Sequence, residues 1–393
     1  MRMKDLFLTH VGQTSDMPLM MEVERAEGIY FYSPDGKRYT DLISGVTVCN
    51  TGHANQEVID AVCEQARKYM HVMVYGEVIE SPQVQYAVAL ARELPEQLST
   101  VYFVNSGSEA VEGALKLAKR WTGRSELISC QNAYHGSTHG ALSMMGGEHF
   151  REAFRPLLPD VRRIRYNSME DLKYITSRTA AVLIEPIQGE GGVRVPSKEW
   201  IVALRQRCTE QGALLIYDEV QCAFGRTGTL WGWQHAGVVP DIMCLAKALG
   251  GGMPLGAFVS SAKIMDCLKR NPVLGHITTF GGHPVCCAAG LASFKYLLKN
   301  KLHLSAETKG ARFEERLRGL EGLREIRRAG LLLALDWGSA EKCNEVVKKL
   351  TDAGMMTESY LFAPESMRIS PALTITEEEI DSVCDEFISI LSR

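Results

Sequence analysis

From residue 101 onward, short apolar β-type runs alternate with longer stretches of helical spacing, and this alternation restricts the fold more than any other feature of the chain. Val101–Val104 reads as a strand and residues 106–121 as a helix; Leu127–Ser129 is a further short strand. Ala180–Ile187, Ala213–Tyr217 and Ile242–Leu245 are buried strands, with a helix over Lys198–Gln211 between the first two. Runs that are apolar throughout, rather than at every second residue, need cover on both faces. The pattern therefore predicts a largely parallel sheet flanked by helices, an α/β architecture. Upstream, Gly28–Tyr32 and Arg38–Leu42 read as strands around a Ser-Pro-Asp-Gly turn, followed by helices over Asn55–Met70 and Pro82–Leu94. Past Gly290 the rhythm changes. Helical spacing crosses Leu291–Leu298 and continues around Ala306–Leu320, Leu331–Trp337 is a strand, and Asn344–Ala353 is a helix. Thr376 and Glu379 form the capping box of a last helix.

At about 150 residues per domain, a chain of 393 residues suggests two domains. The expected division is a large domain over 53–285 and a smaller α+β domain over 286–393, which residues 1–52 join. A net charge of -4 argues against a nucleic-acid footprint, and no apolar run approaches the ~20 residues of a membrane span. The 11 cysteines have no pairing rhythm and no C-x-x-C spacing, so a reduced protein without a zinc framework is expected. Met1–Thr9 lacks the apolar core of a secretory leader, and cytoplasmic residence is the default reading.

Several segments carry chemistry. Asn105-Ser-Gly-Ser-Glu109 lies between a strand and a helix, where Ser106 and Glu109 suit a capping box and free N–H groups favour a phosphate. Asp218 and Glu219 stand at the C-terminal end of a buried strand, the edge of an open α/β sheet where ligands bind. An acid there needs a metal, an arginine or a protonated ring nitrogen as partner. Lys247 is bracketed by apolar residues and followed by three glycines, surroundings that disfavour its ammonium and suit a Schiff-base nucleophile. In Tyr134-His135-Gly136 the aromatic ring suits stacking on a planar cofactor. Glu185–Gly192 ends a strand in a flexible acidic loop, but Arg194 stands where a dinucleotide fingerprint needs its third glycine. Thr278–Pro284 is a turn with hydroxyls for an anion, and Arg368 lies in an apolar setting that calls for a carboxylate.

In this order, these segments resemble the class III (ω-amino acid) aminotransferases, together with Gly225-Arg-Thr-Gly228 and with Pro240-Asp241 leading to Lys247, across essentially the whole chain. The resemblance implies a pyridoxal phosphate enzyme of the aspartate aminotransferase type (fold type I), working in the cytoplasm as a homodimer with shared active sites. It implies that Lys247 carries the internal aldimine and shuttles a proton, and that Asp218 pairs with the pyridinium nitrogen. Val220 and Tyr134 would cover the two ring faces, with Gln221 near the ring hydroxyl. Gly107 and Ser108 would hold the phosphate with Thr279 of the second subunit, and Ser106, His135 and Glu185 complete the cofactor's surroundings. Arg368 matches the arginine for the substrate α-carboxylate, and Glu190 matches the acid that covers it in the ω-amine half-reaction. No metal is implied.

Two positions depart from the pattern. Ser137 stands where many members have an arginine that grips a distal carboxylate, and Val46 stands where ornithine aminotransferases have a tyrosine. Both point to a donor whose distal end is neutral, apolar or aromatic, its amino group passing to a 2-oxo acid by a ping-pong scheme. Aminomutases and decarboxylases of the same fold would keep every cofactor residue named here. A non-catalytic cofactor-binding homologue would be expected to have lost Lys247 or Asp218, and both are present.

Overall fold

The computed structural model describes residues 3–392, so the first two residues of the Met1–Thr9 stretch and the C-terminal Arg393 lie outside it. At its centre is a seven-stranded sheet in the order Thr100–Val104, Gly256–Ser260, Ile242–Leu245, Leu214–Asp218, Thr179–Ile184, Glu126–Cys130, Val161–Ile164. Every pairing is parallel except the two made by Gly256–Ser260, which runs antiparallel to both its neighbours. The middle strands are buried along their whole length, as their unbroken apolar runs require.

The helix Gly107–Thr122 packs on this sheet through small residues, Ala110, Gly113, Ala114 and Ala118. Ser106 caps it by accepting a hydrogen bond from the Glu109 N–H. The expected capping box closes differently. The Glu109 carboxylate reaches past Ser106 to Asn105, whose backbone N–H and side-chain amide both donate to Oε2. Two donors on one residue outcompete the single N–H of Ser106.

Two four-stranded sheets complete the molecule. In one, the N-terminal strands Arg25–Glu27, Tyr30–Tyr32 and Arg38–Asp41 meet Met355–Met356, so the chain's beginning pairs with its last third. The other joins Glu325–Ala329, Leu332–Asp336, Ala363–Ile369 and Ser359–Tyr360. The helical spacing around 291–320 resolves into two helices, Pro284–Lys299 and Leu302–Leu317, broken where Lys301 adopts a left-handed φ of 54°. Glu377–Leu391 begins with the expected capping box, Thr376 and Glu379 each accepting from the other's backbone. One apolar core runs without a break from Tyr86 and Phe294 to Leu333 and Phe387.

Arg226 ties these layers together. It is fully buried, with no carboxylate in hydrogen-bond reach among the described residues. Its guanidinium donates instead to the carbonyls of Leu331 and Pro371, to Ser44 Oγ and to Asn50 Oδ1, and burial pushes its pKa down to about 9. Among the described residues, no helix is long and apolar enough to cross a membrane.

Candidate active site

Leu214–Asp218 and Ile242–Leu245 are parallel neighbours, so their C-terminal ends bring Asp218 and, two residues beyond Leu245, Lys247 to the same edge of the sheet. Beside that edge lies a cleft of about 450 Å³. Ser106, Gly107 and Ser108 line it from the start of their helix, and Tyr134, His135, Glu185, Val220 and Gln221 close round it with Asp218 and Lys247. Thus the strand-end acid, the lysine before the glycines and the serine-glycine helix start converge on one space.

Lys247 holds a left-handed φ of 52°, a conformation rare outside glycine that the packing must enforce. Its ammonium makes no hydrogen bond or ion pair among the described residues, and burial pushes its pKa down. The Asp218 carboxylate is fixed from two sides: Oδ2 lies 2.8 Å from His135 Nδ1, and Oδ1 accepts the Val220 N–H at 3.0 Å. His135 therefore orients the acid from behind, its side chain wholly buried and its Nε2 unpartnered. Glu185 accepts the N–H groups of Tyr134 and Gly189, and burial lifts its pKa to about 7. The second acid of the strand end, Glu219, points away and accepts the Gly232 and Trp233 N–H groups, which makes it a turn anchor.

Behind the cleft stands a buried ion pair. Arg368 Nη2 lies 2.5 Å from Glu190 Oε1, the same oxygen that accepts from Gln221 Nε2 at 2.8 Å. Desolvation opposes the Glu190 charge, but Arg368 and Gln221 outweigh it and its pKa falls. The guanidinium carbon of Arg368 sits over the Tyr360 ring, 4.3 Å from its centroid, and the Tyr360 hydroxyl donates to the Leu333 carbonyl. Val46 lies half-buried in a turn in which Ser44, Gly45, Val46 and Thr47 all have φ between 47° and 63°. Ser137 is exposed, outside the cleft lining, with its hydroxyl 3.3 Å from that of Tyr134. Thr279 is exposed as well, away from its own chain's cleft and 3.4 Å from the Tyr75 hydroxyl.

Sequence reasoning missed Val48, Ala246 and the Gly252–Leu255 wall, which bear no reactive atom. It also missed the ion pair of Asp41 with His53, and Glu358, whose carboxylate lies 3.4 Å from Arg368. Neither sits in a recurring motif; both depend on chain segments more than ten residues apart or on a strand pairing.

A lysine and a braced acid at adjacent parallel strand ends, facing a serine-glycine helix start, define a pyridoxal phosphate enzyme of the aspartate aminotransferase-type fold. The chain belongs to the class III aminotransferase family, whose pattern it matches over residues 11–391. It is 37% identical over 386 residues to the acetylornithine aminotransferase of Methanopyrus kandleri, covering 97% of this chain and 96% of that protein. It is 39% identical to the putrescine aminotransferase of Pectobacterium atrosepticum over 378 residues, 91% of this chain and 79% of that protein. Among solved structures, the ornithine aminotransferase from Toxoplasma gondii ME49 superposes with a TM-score of 0.92 at 30% identity, covering 100% of this chain and 96% of that one.

The residues present fit this cofactor. A Cβ on Gly136 would stand 2.1 Å from Ser108 Oγ, and one on Gly107 would press on Val220 at 3.2 Å, so both glycines keep the helix start open for a phosphate. Opposite them, Asp218 offers a carboxylate and Lys247 an unengaged amine.

Proposed function

We propose that this cleft moves an amino group from an ω-amine to a 2-oxo acid in two half-reactions, and that Lys247 and Asp218 are its catalytic residues. The observation that carries the reading is the meeting of these two side chains at one sheet edge, the lysine unengaged and the acid braced by His135. Pyridoxal phosphate, when bound, supplies an electron sink for the bond broken at the amine-bearing carbon. Lys247 holds the cofactor and moves a proton at that carbon through Nζ, the low pKa that burial gives it favouring a free amine. Asp218, held by His135 and the Val220 N–H, would pair with the ring nitrogen. Ser106, Gly107 and Ser108 bind the phosphate, Tyr134 and Val220 pack on the ring, and His135, Glu185 and Gln221 hold these groups in place. Arg368 receives the carboxylate of the 2-oxo acid once Glu190 gives it up, and pairs with Glu190 again while the amine donor is bound.

The reading extends to the assembly. Ile79 is 91% exposed, Val273 71% and Phe280 53%, on two segments that flank a groove lined by Tyr75, Val84 and Thr278. A second copy covers this apolar band and receives Thr279 at its cofactor phosphate. The division at residues 52 and 285 belongs to the same proposal, supported by the pairing of Arg38–Asp41 with Met355–Met356. The 11 free cysteines fit a reducing cytoplasm.

By the family match the donor's distal end would face Ser137 and Val46, which do not line the cleft of the single chain and offer neither a charge nor a phenol, so a distal carboxylate would be poorly compensated. Amines without one should exceed 4-aminobutyrate in kcat/KM, and Ser137→Arg should shift the preference toward it. A wild type that prefers 4-aminobutyrate tenfold would overturn this account of the donor.

A further inference from the structure

Glu190 is held by more than Arg368. The strands Ser359–Tyr360 and Ala363–Ile369 pair with Tyr360 opposite Ala363, which leaves Leu361 and Phe362 as the two-residue tip of a hairpin. Both N–H groups of this tip donate to one residue. Phe362 N–H bonds the Glu190 carbonyl at 3.0 Å, and Leu361 N–H bonds the Glu190 carboxylate at Oε2, 3.2 Å away. The other oxygen, Oε1, takes Arg368 Nη2 at 2.5 Å and Gln221 Nε2 at 2.8 Å. Arg368 lies on the same hairpin. One element therefore supplies the cation to one oxygen and an N–H to the other.

The main chain around Glu190 is tied on three sides. Glu185 Oε2 accepts the Gly189 N–H at 2.8 Å, the hairpin tip holds the Glu190 carbonyl, and Arg327 Nε donates to the Gly192 carbonyl at 2.7 Å. Giving up Arg368 is then a rotation of the Glu190 side chain rather than a swing of its loop. Glu190 is only 4% exposed, and a buried anion that loses its cation depends on the N–H donors that remain. Leu361 N–H is the donor on the oxygen that Arg368 does not use.

The tip has its own support. The Phe362 ring meets the Phe150 ring edge-on, with centroids 5.5 Å apart and planes at 88°. A Cβ on Gly147 would stand 2.6 Å from Phe362 Cε1, so the glycine leaves the ring its seat. The loop that carries Gly147 and Phe150 is fixed in turn, Gly146 N–H donating to the Ala133 carbonyl at 2.8 Å, one residue before Tyr134. Leu361 is 46% exposed, so Phe362 is the side chain that anchors the tip.

Resting on the reading of Arg368 and Glu190 given above, we propose that Phe362, seated between Gly147 and Phe150, is a positioning residue for the second half-reaction: it fixes the Leu361 N–H that keeps Glu190 once Arg368 takes the carboxylate of the 2-oxo acid. The first half-reaction draws on it less, because Arg368 then still balances the Glu190 charge.

The test measures kcat and KM for a 2-oxo acid and for an amine donor in the cofactor-loaded wild type, Phe362→Ala, Phe150→Ala and Phe362→Tyr. Both alanine variants should raise the KM of the 2-oxo acid about fivefold and leave kcat/KM for the amine within about twofold, as expected when one hydrogen bond to a charged group is weakened. Phe362→Tyr keeps the ring and should stay near wild type. In Glu190→Gln no anion has to be held, so adding either alanine there should leave the KM of the 2-oxo acid unchanged. Equal losses for both substrates, no change for either, or a KM rise of the same size in the Glu190→Gln background overturns this inference. Should Phe362→Ala fail to fold, Phe150→Ala, which leaves the hairpin's own sequence intact, still decides. Arg368→Gln separates the two claims: a 2-oxo acid KM that it leaves unchanged overturns the reading of Arg368, and this inference with it.

Discussion

At the scale of single residues, the site depends on buried charges that have partners. Asp218 keeps its orientation through His135 and the Val220 N–H, so Asp218→Asn should preserve shape while removing the charge proposed to face the cofactor ring. The barrier should rise by at least ~3 kcal/mol, more than ~100-fold in kcat; a loss below tenfold, measured by steady-state kinetics, would assign that task to another group. His53 gives a second prediction. Its hydrogen bonds to Asp41 and Cys49 raise its pKa from 6.5 to about 10. A raised pKa contributes stability that is complete below 6.5 and is lost as pH climbs through about 10. Denaturant titrations should therefore show His53→Gln less stable by about 1–3 kcal/mol at pH 6, with the gap closing above pH 10; a gap independent of pH would mean that the pair contributes no charge. The sequence makes Lys247 and Asp218 legible because each is a polar residue at the end of an apolar run. Glu358 is not legible, since it comes beside Arg368 only once Ser359–Tyr360 pairs with Ala363–Ile369.

At the scale of elements, helices and strands with their own punctuation read directly. Lys198–Gln211 has a serine cap before it and a left-handed glycine after it, and both its ends match the periodicity. Gly256–Ser260 escapes the pattern because Gly-Gly-Gly-Met-Pro-Leu before it reads as loop, and because it enters a parallel sheet antiparallel. It matters to the site: a Cβ on Gly256 would stand 2.2 Å from the Ser106 carbonyl oxygen, so this glycine lets the strand lie against the Ser106–Ser108 helix start. Close backbone contact also joins the C-terminal portion to the central sheet's loops. A Cβ on Gly310, in the helix Leu302–Leu317, would be 1.8 Å from the Gly330 carbonyl oxygen, and Gly330 in turn lies against Thr227 and Gly228. Backbone cannot swing aside as a side chain can. Gly310→Ala should cost about 1–3 kcal/mol despite alanine's better helix propensity, read as a lower midpoint in urea; an unchanged or higher midpoint would show that the helix shifts freely.

At the scale of the whole molecule, the single chain leaves its apolar band open and Thr279 away from its own cleft. Sedimentation should find a dimer, and Thr279→Ala should weaken cofactor retention without dissociating it; an active monomer would contradict the shared site. The sheet and the cofactor cleft are legible in the sequence because they are built from contiguous segments, whereas the proposed subunit contact draws on two separate segments, around residues 75–79 and 273–280, and has no local pattern. The central claim is that one cleft runs two separable half-reactions. The direct test is to follow the bound cofactor's absorbance as the cofactor-loaded enzyme is mixed first with an amine alone and then, after the amine is removed, with a 2-oxo acid alone. The account predicts that the amine changes the spectrum in a single turnover, that the 2-oxo acid restores it, and that Lys247→Ala does neither. A spectrum that returns without any 2-oxo acid, with the amine rearranged or decarboxylated, would contradict transamination and make this chain an aminomutase or a decarboxylase.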